Sequence, residues 1–224
     1  MSTFLVGVTH WVGIPQAATV STAGNFRWMI VANWEQGLAY MVAVIGILLT
    51  HEMGHFIATL IYRIPASLPF FIPLPISPIG TMGAVIGMAG NRADRRQTFD
   101  VGIAGPLAGL AVILPVLWIG IEQLDLTQPR RGGFALDFPW LVRILIAWLR
   151  PELRDARDVW VSQLNPYFMA GWVGLLITGL NMLPVSQLDG GHVTYALLKR
   201  RAHFVARAFL LGAIFYCVWF EAYN

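Results

Sequence analysis

The chain contains one cysteine, Cys217, so it has no internal disulfide and no cysteine-ligated metal site. Charge is scarce as well: Asp, Glu, Lys and Arg make up 12% of the residues, against about 25% in soluble domains. The N-terminus lacks the basic n-region and small-residue cleavage site of a signal peptide. No stretch has the polar surface or the alternating pattern needed to fold as a separate domain outside a bilayer. What remains is apolar, with 57% hydrophobic residues and a mean hydropathy of +0.63, the composition of an integral membrane protein. The net charge of +3 comes from basic residues lying between apolar runs. There they act as topology signals, and no nucleic-acid partner is expected.

Residues 38–62 are long enough to cross a hydrocarbon core of about 30 Å. Apart from two tyrosines, their only ionisable groups are His51, Glu52 and His55. On a helix the i, i+4 spacing puts both imidazoles on one face, one turn apart, where they can hold one metal ion, with Glu52 beside them as a general base. The competing reading is three polar residues buried for helix packing without metal. Ionisable groups at bilayer depth are costly, which favours the functional reading: a zinc site within the membrane.

Residues 1–35 form an N-terminal segment, expected to be the end of a truncated transmembrane helix, with His10 an interfacial or loop histidine. Residues 36–224 form a membrane-embedded core. Pro65, Pro69, Pro73, Pro75 and Pro78 forbid a regular helix over 64–79. An apolar non-helical segment cannot face lipid, so it is expected to re-enter against protein or line a cavity. Gly80, Thr81, Met82, Gly83, Ala84 and Val85 follow, in a stretch (80–88) that reads either as a mobile loop or as a short strand able to pair with an extended peptide; the strand is the expectation. The basic residues Arg92, Arg95 and Arg96 mark a cytoplasmic flank.

A second uncharged span covers 101–121. Its Gly102, Ala104, Gly105, Ala108 and Gly109 permit close approach to the histidine-bearing helix. Asp100 reads as the cap of that span. Residues 122–165 are the most polar part, with an interfacial helix over 138–148. A third span is expected over 166–185, and a fourth begins at 208–220, where thirteen residues are too few to cross, so the chain is expected to be cut short. Asp189 follows a Pro184 break at the end of the third span and is the best third metal ligand. His192 is assigned a supporting role. The fold class is an all-α polytopic membrane protein, a compact transmembrane helix bundle with a short re-entrant β-like segment.

His51-Glu52-Met53-Gly54-His55, followed by Asn181-x-x-Pro184-x-x-x-Leu188-Asp189-Gly190, resembles the site-2 protease family of intramembrane zinc metalloproteases. The likeness is nearest to the branch with chloroplast and cyanobacterial members. There a proline-rich segment, a Gly-x-x-Gly-Ala stretch matched by Gly80 to Ala84, and an Ala-Gly-Pro-x-Ala-Gly stretch matched by Ala104 to Gly109 also occur. The resemblance implies one zinc ion ligated by His51, His55 and Asp189, Glu52 as general base, and Asn181 orienting substrate or stabilising the oxyanion. It also implies single-span membrane proteins as substrates and an active site nearer the cytoplasmic side. A membrane zinc-binding or transport protein without hydrolysis is the alternative from another class. A membrane zincin with Glu122, Glu152 or Glu221 as third ligand is a further one.

Overall fold

The computed structural model describes residues 2–9, 23–73, 81–88, 93–130, 135–185 and 187–223. Among them are seven α-helices: α1 (Ser2–Thr9), α2 (Ala23–Ile61), α3 (Arg95–Glu122), α4 (Trp140–Leu149), α5 (Pro166–Asn181), α6 (Asp189–Leu198) and α7 (Arg201–Tyr223). Two small antiparallel sheets join them, β1 (Phe70–Pro73) with β2 (Thr81–Val85), and β3 (Ala135–Asp137) with β4 (Asp158–Trp160). Three helical stretches are long and apolar enough to cross a membrane: Ile30–Ile61, Arg95–Glu122 and Arg201–Phe220. This is a membrane protein, predominantly helical with a short β segment.

The limits of three expected spans are corrected. The third ends at Asn181 rather than 185, because the chain leaves the helix through turns before Pro184; at 16 residues it rises only about 24 Å. The last helix starts at Arg201 rather than 208 and runs 23 residues, so it is long enough to cross. The first span also starts earlier than 38. No proline interrupts residues 23–37, and α2 continues through them with one break at Asn33 (φ −125°, ψ 16°).

The chain folds as two compact units. The first comprises Met1–Leu49, Phe70–Val85 and Leu110–Leu175. Its core gathers Ile47, Ile113, Leu117, Ile121, Phe138, Val142, Ile146 and Phe168. Inside a bilayer such apolar contacts are held by close packing rather than by escape from water. Gly120 is part of that fit, since a side chain there would strike the backbone of Phe168. The open carbonyl end of α3 is met by Arg150, whose Nη1 donates to Ile121 O and Glu122 O at 3.4 Å and to Leu124 O, just past the helix, at 2.6 Å.

The expected interfacial helix is α4. It buries Val142 and Ile146, one turn apart, while Trp140 and Trp148 remain 78% and 69% exposed. The sheet β3–β4 was not legible in the sequence, because strands of three residues carry no usable alternation. In β1–β2 the register pairs Phe70 with Val85 and Phe71 with Ala84, then shifts before Pro73 meets Thr81. Thr81 Oγ1 donates to Ile72 O at 3.0 Å, and Gly83 takes φ +104°, which favours glycine.

The second unit comprises Thr50–Pro69, Ile86–Gly109 and Leu176–Asn224. The helix α2 ends here in a Schellman motif: Ile64 N donates to Thr59 O at 2.9 Å and Arg63 N to Leu60 O at 3.0 Å, with Arg63 in the left-handed region (φ 55°). Pro65 then prevents continuation. The start of α3 is capped by Asp94, not Asp100. Gln97 N donates to Asp94 Oδ1 at 2.8 Å, and Asp94 N donates to Gln97 Oε1 at 2.9 Å, a reciprocal capping box. Asp100 lies nearly two turns further in and accepts the Tyr62 hydroxyl instead, which pushes the Tyr62 pKa up.

Candidate metal centre

In the second unit α2 and α3 approach at small residues. A Cβ on Gly54 would lie 2.5 Å from Ala104 O and 2.7 Å from the Ala108 Cβ. This is the close helix contact expected of the small residues in 101–121. The same face of α3 makes room for the imidazoles of α2. Gly105 faces His55 so closely that a Cβ would overlap the ring, and Gly109 faces His51, with 3.2 Å from a built Cβ to Nδ1.

His51 is buried, with 3% exposure. Its Nε2 lies 3.1 Å from Asp189 Oδ2 and 3.3 Å from His55 Nε2, and His55 Nε2 is 3.3 Å from the same Asp189 oxygen. The His55 ring is oriented by its other nitrogen: Nδ1–H donates to Val101 O at 2.7 Å. That bond places the proton on Nδ1 and leaves the Nε2 lone pair facing His51 and Asp189, the arrangement usual behind a metal-ligating histidine.

Asp189 is delivered by a separate helix. Leu188 is extended (φ −85°, ψ 160°), and Asp189 is the first residue of α6. Gly190 lets the start of α6 press on the chain just after α5, since a side chain there would collide with Met182 O. Burial pushes the Asp189 carboxyl pKa up, but the adjoining His51 and His55 rings more than offset it and hold it down to about 2. The group is a carboxylate at neutral pH.

Two nitrogens and a carboxylate oxygen thus converge, with their ligand atoms all within 4.8 Å of one another. In a tetrahedral zinc site with bonds of about 2.0–2.1 Å, neighbouring ligand atoms stand roughly 3.3–3.4 Å apart. The three observed separations, 3.1, 3.3 and 3.3 Å, fit that spacing. Three protein ligands would leave the fourth position open, as in catalytic rather than structural sites.

Glu52 follows His51 on α2, is partly buried, and lies within electrostatic range of His51, His55 and Asp189. Asn181, the last residue of α5, places Nδ2 3.5 Å from His51 Nε2. Five of the residues singled out in the sequence therefore meet at one place. His192 does not join them; its side chain is exposed. Glu122 and Glu152 belong to the first unit, and Glu152 accepts from Arg150 Nε at 2.7 Å. The side chain of Glu221 lies outside the description.

Of the strand residues, Thr81, Met82, Gly83, Ala84 and Val85 form β2 in the first unit, while the metal-centre residues belong to the second. Gly80, Arg92 and His10 lie outside the described residues. Sequence reasoning missed the Val101 carbonyl, because a backbone acceptor leaves no mark on residue identity.

Residues 39–218 match the model of Peptidase family M50. Among curated proteins the chain is similar to the probable zinc metalloprotease EGY1, chloroplastic, of Arabidopsis thaliana, with 33% identity over 170 residues covering 74% of this chain and 30% of that protein. The Oryza sativa subsp. japonica protein of the same name is 32% identical over 176 residues, covering 76% of this chain and 30% of its own length. The probable zinc metalloprotease EGY2, chloroplastic, of Oryza sativa subsp. indica is 30% identical over 195 residues, covering 85% and 34%. The chain thus spans about a third of the length of these three relatives. No solved structure matches it significantly.

Proposed function

Since the chain belongs to peptidase family M50, we propose that it is an intramembrane zinc metalloendopeptidase that hydrolyses peptide bonds within or near the transmembrane segments of single-span membrane proteins. The observation that carries the reading is the convergence of Asp189 Oδ2, at ligand spacing, on His51 Nε2 and His55 Nε2, which stand on a helix long and apolar enough to span the bilayer.

His51, His55 and Asp189 would hold one zinc ion. Bound there, zinc supplies Lewis acidity, which activates water and polarises the scissile carbonyl. The chain's own residues do the rest. Val101 O keeps the proton on His55 Nδ1, so that Nε2 stays available as a ligand. Glu52 takes the proton of the attacking water and later delivers it to the leaving amine. Asn181 directs its amide N–H groups toward the oxyanion that develops on the carbonyl.

A substrate helix hides its peptide groups and must unwind locally before cleavage. In this proposal β2, with Thr81 and Val85, together with Gly80 beside it, pairs with the exposed backbone as an added strand. The chain is multi-pass, with its site nearer the cytoplasmic side. The dense basic run Lys199, Arg200, Arg201 supports that orientation, and side-specific labelling of a Lys199→Cys, Cys217→Ser variant in intact cells would report it.

The experiment that tests the function is cleavage of a labelled single-span protein by the purified, reconstituted chain. Cleavage should stop with a zinc chelator and return with added zinc. Cleavage that persists without zinc would refute the proposal. In the same assay Val85→Pro, which removes a backbone donor from β2, should cut several-fold more slowly at unchanged zinc content. Parent-like cleavage would leave β2 without a role in substrate binding.

A further inference from the structure

We infer that Arg95 is a positioning residue for Asp189, acting through the far end of the helix that carries it; this rests on reading the trio as a zinc site. Ten residues of α6 make a rod about 15 Å long. Its first residue is Asp189, and its last carbonyls, like those of any helix, have no donors within the helix itself. Lys199 N takes Tyr195 O at 2.9 Å. The next two carbonyls are taken by Arg95, whose Nε donates to Ala196 O at 3.0 Å and whose Nη2 donates to both Ala196 O and Leu197 O, the latter at 3.3 Å.

The planar fork of arginine suits this double contact, and a cation is favoured at the negative end of the helix dipole. A second contact lies near the other end of α6. A Cβ on Gly102 of α3 would stand 3.0 Å from Val193 Cγ2 and 3.4 Å from Asp189 O, so α3 touches α6 beside the ligand as well. With one contact beside Asp189 and one clamp at the opposite end, α6 cannot tilt without breaking hydrogen bonds. Tilt at the clamp would move the Asp189 carboxylate relative to the two imidazoles.

All these contacts come from one helix that supplies no ligand itself. The Val101 carbonyl of α3 orients His55, its Gly105 and Gly109 admit the rings, and its first residue holds the helix of Asp189. Arg96, the neighbouring cation, instead approaches Asp100 at 4.0 Å with its side chain 88% exposed. The basic flank read as a topology signal therefore contains one residue that hydrogen-bonds to the backbone of α6 and one that approaches only a side chain of its own helix.

The test is zinc affinity, measured by chelator competition on the purified full chain in detergent for the parent, Arg95→Gln and Arg95→Lys. Arg95→Gln is then repeated in an Asp189→Asn background. Arg95→Gln should bind zinc about 10-fold more weakly, the lower end of the 10–100-fold seen for groups that support metal ligands. Arg95→Lys, which keeps a cationic donor at the helix end, should fall between it and the parent. In the Asp189→Asn background Arg95→Gln should make no further difference, because its effect is transmitted through that ligand. Parent-like affinity in Arg95→Gln would overturn the inference. So would an equal loss in both backgrounds, or a loss of helical content by circular dichroism, since the arginine would then serve the fold at large. A parent chain that binds no zinc would instead overturn the metal-site reading itself.

Discussion

Glu52→Gln should slow peptide hydrolysis by about 10²–10⁴-fold, the usual worth of a positioned general base, while zinc remains bound. Glutamine has nearly the same size and shape, so the α2 helix and its contacts should survive. The three candidate ligands, His51, His55 and Asp189, are untouched. The change is confined to chemistry: an amide cannot accept the proton of the attacking water. Cleavage of a labelled single-span substrate and zinc content would be measured on the same preparation. A variant that cuts near the parent rate would remove Glu52 from the mechanism. One that loses its zinc would make Glu52 part of the metal site rather than the base beside it.

Gly105→Ala should do the opposite, losing zinc through a residue that never touches the metal. A Cβ at this position would overlap the His55 ring at Nε2, the atom that faces Asp189. The ring has little freedom to turn away, because Nδ1 is held by Val101 O at 2.7 Å. Nor can α3 retreat easily, since Gly54 of α2 sits against Ala104 and Ala108 on the same face. Either the Val101 hydrogen bond or the ligand position must be given up. Zinc affinity should fall by at least about 10–100-fold, with activity falling alongside. Gly109→Ala is the internal comparison. Its Cβ would stand 3.2 Å from His51 Nδ1, a distance relieved by a shift of a few tenths of an ångström, so its loss should be far smaller. Equal zinc affinity in Gly105→Ala and the parent, measured by chelator competition, would show that the helices can separate.

The polar part of the site was legible because polarity is rare in this chain. His51, Glu52 and His55 stand out against an apolar helix, and their spacing carries the geometry of a turn. Asp189 was legible by its context, just after a proline break. Element ends were read less well. The last helix begins ahead of the uncharged run 208–220, because Arg207, an exposed cation, can sit on a helix and reach toward water. Asp100 was read as a cap from its place before an uncharged run. The reciprocal bonds of Asp94 and Gln97 settle the start of α3 two turns earlier. What holds the site in shape, the Val101 carbonyl and the Arg95 contact with α6, depends on which backbone groups meet in space, and residue identity alone does not encode that.

The most direct test of a zinc ion held by His51, His55 and Asp189 is zinc X-ray absorption on the purified chain, parent against Asp189→Ala. The parent should carry one zinc per chain in a shell of two imidazole nitrogens and light oxygen ligands at about 2.0–2.1 Å, and Asp189→Ala should lose most of the metal. A parent without zinc, or an Asp189→Ala variant with full zinc and an unchanged shell, would contradict the account.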